Sequence, residues 1–256
     1  MIILPPVSTR SENHRMSRPV QVAEAIKSWV VEHGLKAGDR LPAEAELIER
    51  FGMAKGTIRE AMRILEAQGL VRTRTGPGGG VFVHSVSRER ARALLGNYFY
   101  FKDLTIADIY QLRQVLEPEL VATLAGKLSG AVLAELRSVI DSYAEPSRTI
   151  EEEREQHVTS LQFHALLARQ SRNPLLSFTI DFMVVLLSDL TVYRELYAPP
   201  NIELWKKGRE FQIRLVDALR DGKSEEARAI MAEHMKTARA LMEGQEAVMM
   251  QRFMAG

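Results

Sequence analysis

Residues 38–84 read GDRLPAEAELIERFGMAKGTIREAMRILEAQGLVRTRTGPGGGVFVH, and this stretch decides the fold of the N-terminal part of the chain. Leu41-Pro42 ends an extended segment, because the residue before a proline is disfavoured in the helical conformation. Apolar side chains at helical spacing then predict a short helix over 43–51 and a longer one over 54–68. Gly52 separates the two and permits a tight turn between them. Two helices joined in this way form a helix-turn-helix.

A β-hairpin is predicted directly after the second of these helices. The β-branched runs 71–73 and 81–83 flank a glycine-rich tip, which is typical of two antiparallel strands joined by a flexible turn. A further amphipathic helix is predicted over 18–33. Residues 18–85 are therefore interpreted as a winged helix-turn-helix of three helices and a small hairpin wing, preceded by a flexible arm over 1–17.

The second helix of the helix-turn-helix carries a basic face. Lys55, Arg59 and Arg63 are each four residues apart, so they lie one above the other on the exposed side of the helix. Such a stripe alone is usually a solvated surface. Residues 54–74, however, carry five basic and two acidic side chains, which indicates contact with nucleic-acid phosphates. The residues predicted to contact double-stranded DNA are Lys55, Gly56, Thr57, Arg59, Arg63, Arg72, Arg74 and Gly79.

Composition restricts what the protein does. The 256 residues include no cysteine, which excludes disulfides, thiolate metal sites and a cysteine nucleophile. The net charge of +1 conceals an asymmetry, because residues 1–86 carry 12 Lys/Arg and 9 Asp/Glu whereas residues 87–256 carry 22 and 24. Asp181 and Asp189 interrupt the most apolar stretch, and the opening MIILPPV lacks the basic residues of a signal peptide. A cytoplasmic protein without membrane contact is therefore expected.

After residue 85 the sequence pattern is that of helices only. Prolines, glycines and capping residues divide it into seven predicted helices. They cover 87–101, 105–128, 130–143, 150–171, 173–196, 201–221 and 223–247. Several are apolar on more than one face, which favours an all-α antiparallel bundle of six or seven helices over 86–250, in part buried at a dimer seam. The predicted fold class is thus mainly α.

Two parts of the chain resemble a known protein family. Residues 35–71, LKAGDRLPAEAELIERFGMAKGTIREAMRILEAQGLV, resemble the DNA-binding domain of GntR-family bacterial regulators, although Ala54-Lys55 stands where the family has Ser/Thr-Arg. Three later segments resemble the effector domain (FCD domain) of the FadR-type branch: RQVLEPELVATLAGKLS (113–129), LQFHALLARQSRNPLL (161–176) and VDALRDGKSEEARAIMAEHM (216–235). The resemblance implies a regulator whose helical bundle binds a small metabolite, often an organic acid, and frequently a divalent metal ion.

The resemblance also implies where metal ligands would stand. The family uses an Asp four residues before the His of an FH pair, that His, and one His on each of the last two helices. Here these positions hold Ser160, His164, Gln212 and His234. One interpretation is a weakened site for zinc, nickel or manganese on His164 and His234; the other is a metal-free polar cavity. His157 is either a substitute ligand or an exposed residue.

Arg113 is the other residue singled out in the bundle. In the family that the chain resembles, the arginine of the RxxLE motif often points into the cavity, where a guanidinium can hold a carboxylate through two hydrogen bonds. The alternative is an ion pair with Glu117, one turn later on the same helix. Tyr193 and Arg194 line the cavity in one interpretation and lie on the surface in the other.

Together these features predict a homodimeric transcription regulator, a repressor, that reads a short inverted repeat and responds to a carboxylate effector. The predicted effector site comprises Arg113, Ser160, His164, Gln212 and His234. One alternative is a metal-dependent helical enzyme using the two histidines, but no carboxylate stands at ligand spacing from either, so no catalytic residue is assigned. The other alternative is a DNA-binding protein with no effector, for which a 170-residue second part is larger than dimerisation requires.

Overall fold

The computed structural model describes residues 16–102, 104–193 and 195–255, with side chains up to residue 247 except that of Tyr100. The predicted N-terminal arm, apart from Met16 and Ser17, lies outside the described residues. The chain divides into two compact units, the first ending at Ala91 and the second beginning at Arg92. This division falls a few residues after the boundary predicted at 85.

The first unit is a winged helix-turn-helix, as predicted. Its elements are α1 (Arg18–Glu32), α2 (Glu44–Phe51), α3 (Lys55–Ala67) and two antiparallel strands, β1 (Val71–Arg74) and β2 (Gly80–Val83). Its core is formed by apolar side chains from the three helices, from β1 and from the segment that precedes α2. These residues are Val22, Ala23, Ile26, Leu41, Leu47, Ile58, Ala61, Leu65 and Val71. Burial of each large aliphatic side chain of this kind stabilises a fold by roughly 1.5–3 kcal/mol.

Two glycines set the direction of the chain around α3. Gly52 ends α2 in the left-handed conformation with φ 60°, which a residue with a Cβ adopts only under strain. Gly69, with φ 77°, turns the chain from α3 into β1. The Glu66 carboxylate then accepts hydrogen bonds from the backbone N–H of Thr73 (2.9 Å) and from its hydroxyl (3.3 Å). The wing is therefore fixed to the C-terminal turn of α3.

The second unit is built from helices. They are α4 (Arg88–Tyr100), which begins within the first unit, α5 (Ile106–Leu124), α6 (Gly130–Asp141), α7 (Ile150–Arg169), α8 (Pro174–Tyr193), α9 (Ile202–Arg220) and α10 (Ser224–Ala255). All seven predicted helices are present, but α10 continues past the predicted end at 247. α5 ends before the predicted 128, because Ala125 leaves the helical conformation and the N–H of Gly126 donates to the Leu219 carbonyl at 2.8 Å.

Side-chain caps and packing bring four of these helices around one interior space. The Thr105 hydroxyl and the Asp108 carboxylate form a capping box at the start of α5. Thr149 and Asn201 cap α7 and α9 in a similar way, each accepting a hydrogen bond from a backbone N–H. α5 packs along α10, α10 along α9, and α6 against both α7 and α9. Polar side chains of α5, α7, α9 and α10 therefore meet inside the bundle.

α8 is the most apolar helix. By length and composition alone it is able to cross a membrane, even though Asp181 and Asp189 interrupt its apolar sequence. Its buried side chains, among them Ile180, Met183 and Leu187, belong to the apolar core of the second unit. Asp181, which interrupts the apolar sequence, is also buried and accepts a hydrogen bond from Arg92 Nη1 at 2.9 Å. α8 is thus a core helix whose buried carboxylate has a cationic partner.

Candidate functional site

The predicted DNA-contacting residues of α3 lie on its accessible side. The side chains of Lys55, Arg59 and Arg63 are 62%, 58% and 76% exposed. Gly56 is exposed, and a Cβ at this position would meet nothing within 4 Å. Thr57 is half-buried. The structure therefore gathers three cations and a position of bare backbone on one surface of the helix.

Glu44, at the start of α2, contacts two of these cations. Its carboxylate accepts a hydrogen bond from Arg59 Nε at 2.9 Å and lies 3.5 Å from Lys55 Nζ. The hydrogen bond from Arg59 lowers the pKa of Glu44, and the charges of Arg59 and Lys55 act in the same direction. Arg63 instead pairs with Glu60 of its own helix at 3.1 Å. Helical periodicity gave no signal for Glu44, because Arg59 lies 15 residues away on another helix.

The wing presents further cations. Arg72 and Arg74 are exposed, and the guanidinium of Arg74 lies 4.6 Å from the centre of the Phe82 ring. The tip is tightly folded, since a Cβ on Gly79 would lie 2.6 Å from the Arg74 carbonyl oxygen. Arg40 Nη2 donates to the Gly79 carbonyl at 2.6 Å. Arg40 was not predicted, and it adds a third exposed cation beside the wing.

A cavity of about 50 Å³ lies inside the second unit, and all five predicted effector residues belong to its lining. The complete lining is Tyr110, Arg113, Tyr143, Glu153, Gln156, His157, Ser160, Leu161, His164, Leu204, Trp205, Gly208, Arg209, Gln212, His234, Met235 and Ala238. The side chains come from α5, α7, α9 and α10, with Tyr143 from the segment after α6. The fold thus joins residues that lie as far apart in sequence as Tyr110 and Ala238.

A buried hydrogen-bonded chain forms one wall of this cavity. Glu117 accepts from Arg113 Nε through one carboxylate oxygen and contacts His164 Nδ1 through the other, each at 2.5 Å. Burial alone would raise the pKa of Glu117, but Arg113 and His164 lower it to about 2, so the carboxylate is ionised. Arg113 Nη2 has no hydrogen-bond partner among the described residues. The ion pair with Glu117 is therefore present, and another guanidinium nitrogen of this lining residue is unpaired in the described part of the chain; that Arg113 holds a carboxylate stays a prediction.

Burial shifts both neighbouring histidines toward their neutral forms, because it lowers the pKa of each. Burial lowers the pKa of His164, Glu117 opposes this shift, and the charge of Arg113 adds to it. Because Glu117 is ionised, the neutral form of His164 would carry its proton on Nδ1, donate it to Glu117 and keep a lone pair on Nε2. His234 stacks on His164 with ring centres 5.2 Å apart. Burial, with His164 and Arg113, lowers the pKa of His234 well below its ordinary value, and its Nε2 lacks a partner in the described part of the chain.

The side chains at the four metal-ligand positions do not fit a divalent ion. The Ser160 hydroxyl donates to the His157 carbonyl at 2.8 Å. The Gln212 amide donates to the Ser160 carbonyl at 3.2 Å and accepts from the Tyr143 hydroxyl. Two imidazoles remain, whereas divalent sites in proteins combine at least three strong donors. Among the described residues no group of three or more His, Cys, Asp or Glu side chains is arranged to hold a metal ion.

The structure also places the residues whose location was left open. His157 is half-buried and lines the cavity, and burial together with the charge of Arg113 lowers its pKa to about 4. Tyr193 is 82% exposed and lies on the surface. Arg194 falls outside the described residues.

Gln156, Tyr143, Trp205 and Arg209 are lining residues that sequence reasoning missed. A signal for the α7 wall was nevertheless present. The polar residues of this wall recur at spacings of four, three and four, at Glu153, His157, Ser160 and His164. Polar side chains at this spacing share one face of a helix, and a polar face beside an apolar one inside a bundle indicates a cavity.

Comparison with protein families identifies the two units. Residues 19–83 match the model of bacterial regulatory proteins of the gntR family, and residues 108–237 match that of the FCD domain. The chain belongs to the GntR family and carries an FCD domain. The FCD match contains every residue of the cavity lining except Ala238. This GntR-family protein is therefore a transcriptional regulator with a DNA-binding winged helix-turn-helix and an effector-binding domain, and the prediction that it is not an enzyme is confirmed.

Named relatives belong to the same class. The Glc operon transcriptional activator of Escherichia coli (strain K12) is 27% identical over 172 residues. This match covers 65% of this chain and 65% of the relative. The regulator YcbG of Bacillus subtilis (strain 168) is 27% identical over 229 residues, 88% of this chain and 90% of the relative. The repressor NanR of Cronobacter sakazakii is 27% identical over 229 residues, 84% and 82% of the two chains.

A solved structure shares the fold. Streptococcus agalactiae GntR aligns with a TM-score of 0.56 over 87% of this chain and 99% of its own, at 22% sequence identity. At this identity the likeness concerns the fold alone, and it agrees with a winged helix-turn-helix followed by a helical domain.

Proposed function

We propose that this GntR-family regulator is a cytoplasmic homodimeric repressor whose affinity for its operator changes when a small carboxylate binds in the FCD cavity. The observation that carries the proposal is Arg113, which is 1% exposed and has one nitrogen without a partner beside the cavity. Buried polar groups in proteins are almost always hydrogen-bonded, so an unpaired guanidinium nitrogen indicates a missing acceptor. A carboxylate is the acceptor that matches guanidinium geometry and charge.

The DNA-binding half of the proposal is supported by the cationic side of α3. Lys55 and Arg59 lie where a helix of this motif contacts base edges and phosphates, and Arg63 continues the face toward the backbone. Arg72 and Arg74 extend the positive surface onto the wing, which suits the adjacent DNA backbone. Most of the affinity would then come from phosphate contacts and depend steeply on salt.

A homodimer is favoured by exposed apolar surface on the second unit. Leu112 and Val115 of α5 are 52% and 63% exposed and lie three residues apart on one side of the helix. Contiguous exposed apolar side chains often mark an interface between subunits. A two-fold symmetric dimer presents two copies of α3, so its operator would be an inverted repeat.

Repression and effector response are proposed from the architecture and from named relatives. NanR of Cronobacter sakazakii is called a repressor, whereas the Escherichia coli relative is called an activator of the Glc operon. If the effector changes the affinity of the regulator for its operator by some factor, the operator changes the affinity for the effector by the same factor. This factor is typically about 5-fold to 150-fold.

The test uses the full chain. An operator is selected from random double-stranded DNA, and its affinity is measured by fluorescence anisotropy with and without a panel of small carboxylic acids. We expect at least one acid to change operator affinity by about fivefold or more. We also expect the double variant Arg113→Met/Glu117→Leu to abolish that response without reducing the affinity for DNA alone, because it removes both charges of the buried pair and leaves neither unpaired. A protein that binds the operator but ignores every acid would be a DNA-binding protein without a carboxylate effector.

A further inference from the structure

The segment before α2 pairs with the wing along the free edge of β2. The backbone N–H of Leu41 donates to the Val81 carbonyl at 2.8 Å. Arg40, the preceding residue, lies opposite Phe82 of β2 in an antiparallel bridge. Residues directly opposite each other in antiparallel strands place their side chains on the same face. The side chain of Arg40 therefore lies on the Phe82 face of the wing.

This face of the wing is turned away from the core and carries three arginines. Arg72 of β1 lies opposite Phe82 on the other side of β2, and the Arg74 guanidinium lies 4.6 Å from the centre of the Phe82 ring. Arg40, Arg72 and Arg74 are all exposed. The other face carries Val71, which is buried in the core of the first unit. Three cations thus surround one aromatic ring on the accessible side of the wing.

The side chain of Arg40 also reaches the tip of the wing. Its Nη2 donates a hydrogen bond to the Gly79 carbonyl at 2.6 Å. The guanidinium occupies the space beside Gly80, because a Cβ at that position would lie 2.7 Å from Arg40 Nε. The absence of a side chain at Gly80 therefore makes room for the contact between Arg40 and the tip.

The composition of the tip gives this contact its importance. Residues 76–80 read GPGGG, and glycine loses more conformational freedom on ordering than any other residue. The N–H of Gly79 donates to the Gly76 carbonyl at 2.8 Å, which closes a turn within the tip itself. Arg40 ties this turn to a strand edge outside the hairpin. A loop that is held in its bound conformation binds more tightly, because less ordering remains for the binding step.

We infer that Arg40 is a positioning residue for DNA binding, which holds the wing tip through the Gly79 carbonyl in the conformation that meets the duplex. Arg40 acts through the tip and not as a phosphate contact of its own. The tip carries no side chain at Gly78 to Gly80, so its backbone can approach the DNA closely. The inference rests on the proposed function in taking the wing as a DNA-contacting surface.

The experiment is a double-variant cycle on the full chain, with Arg40→Gln, Gly80→Ala and both substitutions together. Gly80→Ala keeps the charge of Arg40 but fills the space of its Nε. Fluorescence anisotropy measures the affinity for an operator selected from random duplex DNA at several salt concentrations. We expect each single substitution to weaken operator binding by roughly threefold to tenfold, because one hydrogen bond is lost and the tip must be ordered on binding.

The pattern of the cycle identifies the contact. The double variant should bind no more weakly than the weaker of the two single variants, because both substitutions break the same contact. Backbone strain from alanine at Gly80, where φ is 147°, would act independently of Arg40 and give additive effects. Arg40→Gln should change the salt dependence by less than about one ion. The melting temperature should stay nearly unchanged, since Arg40 is exposed.

Arg72→Gln is the matched control, because Arg72 lies opposite the same Phe82 from the other side. As a phosphate contact it should lose about one ion of salt dependence, and its effect should add to that of Arg40→Gln. Amide hydrogen exchange of the free protein is the second measurement. The amides of Gly79 and Gly80 should exchange faster in Arg40→Gln than in the unsubstituted chain, and no faster in Arg72→Gln.

The outcomes separate the inference from the proposed function. Additive effects of Arg40→Gln and Gly80→Ala, or a loss of about one ion in Arg40→Gln, would overturn the inference and leave a wing that contacts DNA. Unchanged affinity in both arginine variants, with weakened binding in Arg59→Ala, would overturn the inference together with the proposed role of the wing. If Gly80→Ala fails to fold, the salt dependence and the hydrogen exchange of Arg40→Gln decide.

Discussion

Glu44 of α2 accepts a hydrogen bond from Arg59 of α3, with 2.9 Å between Oε2 and Nε. The same carboxylate lies near Lys55, so one acidic side chain orients two cations on the proposed DNA-binding face. A carboxylate at this position also repels phosphate groups. We therefore expect Glu44 to lower the affinity for DNA in general and to favour sites where base contacts compensate.

Glu44→Gln is expected to raise affinity for non-specific duplex DNA by roughly threefold at low salt, because one repulsive charge is removed and two cations are released. Affinity for the selected operator should rise less, so the ratio of specific to non-specific binding falls. Fluorescence anisotropy at several salt concentrations measures both. Glu46→Gln is the matched control, since Glu46 lies on the same helix but pairs with Arg50 instead. An equal effect of the two substitutions would show that only net charge matters.

Arg59→Ala is expected to weaken operator binding by at least about tenfold while leaving the melting temperature nearly unchanged, because the side chain is 58% exposed and its ion pair with Glu44 lies on the surface. Arg63→Ala should instead weaken specific and non-specific binding alike and reduce the salt dependence by about one ion, as expected of a phosphate contact. Anisotropy titrations with operator and scrambled duplexes distinguish the two patterns. Full operator affinity in the Arg59 variant would refute the assigned face.

The local pattern predicted most of the fold. Capping side chains stand at the helix starts Thr105, Thr149 and Asn201, and the Gly52 turn was predicted because a left-handed residue favours glycine. The end of α5 was harder to predict, because a backbone hydrogen bond from Gly126 to Leu219, distant in sequence, replaces the continuation of the helix. Hydrogen bonds between residues that are distant in sequence produce no periodic pattern in the sequence.

Only part of the candidate site could be predicted, because here too the contacts join residues that are distant in sequence. Arg113 and His164 were visible through their resemblance to family motifs, whereas the link between them runs through Glu117 and depends on how α5 packs beside α7. Gln156 was missed because its carbonyl oxygen becomes significant only when the fold leaves it without a partner. Likewise, Gln212 as a metal-ligand substitute could be assessed only once its bonds to Tyr143 and Ser160 were known.

Restoring the two replaced side chains should create a metal site. The double variant Ser160→Asp/Gln212→His supplies a carboxylate and a third imidazole beside His164 and His234. Zinc at about 100 times its dissociation constant would then stabilise the fold by about 2.7 kcal/mol. Differential scanning fluorimetry with zinc, nickel or manganese should show a saturable rise for the double variant and none for the unsubstituted chain. A stoichiometric metal in the unsubstituted protein, lost together with stability on EDTA treatment, would contradict the absence of a working site.

The buried pair of Arg113 and Glu117 should govern acid stability. Glu117 has its pKa lowered from 4.5 to about 2, so its contribution to stability is complete above pH 4.5 and is lost as the pH falls toward 2. Glu117→Leu leaves the Arg113 charge buried and unpaired, which should destabilise the fold by about 3–5 kcal/mol at neutral pH. The difference in unfolding free energy between the two proteins should then shrink below pH 4.5.

The double variant Arg113→Met/Glu117→Leu serves as the control for this pair, because it removes both charges at once. It should recover most of the lost stability, since replacing a buried ion pair by apolar side chains is often neutral. Urea unfolding followed by circular dichroism between pH 3 and 7 provides the free energies, and ligand titration of the same variants shows whether acid binding is lost when Arg113 is replaced. A single variant as stable as the unsubstituted chain at pH 7 would mean that the Arg113 charge finds another acceptor in the cavity.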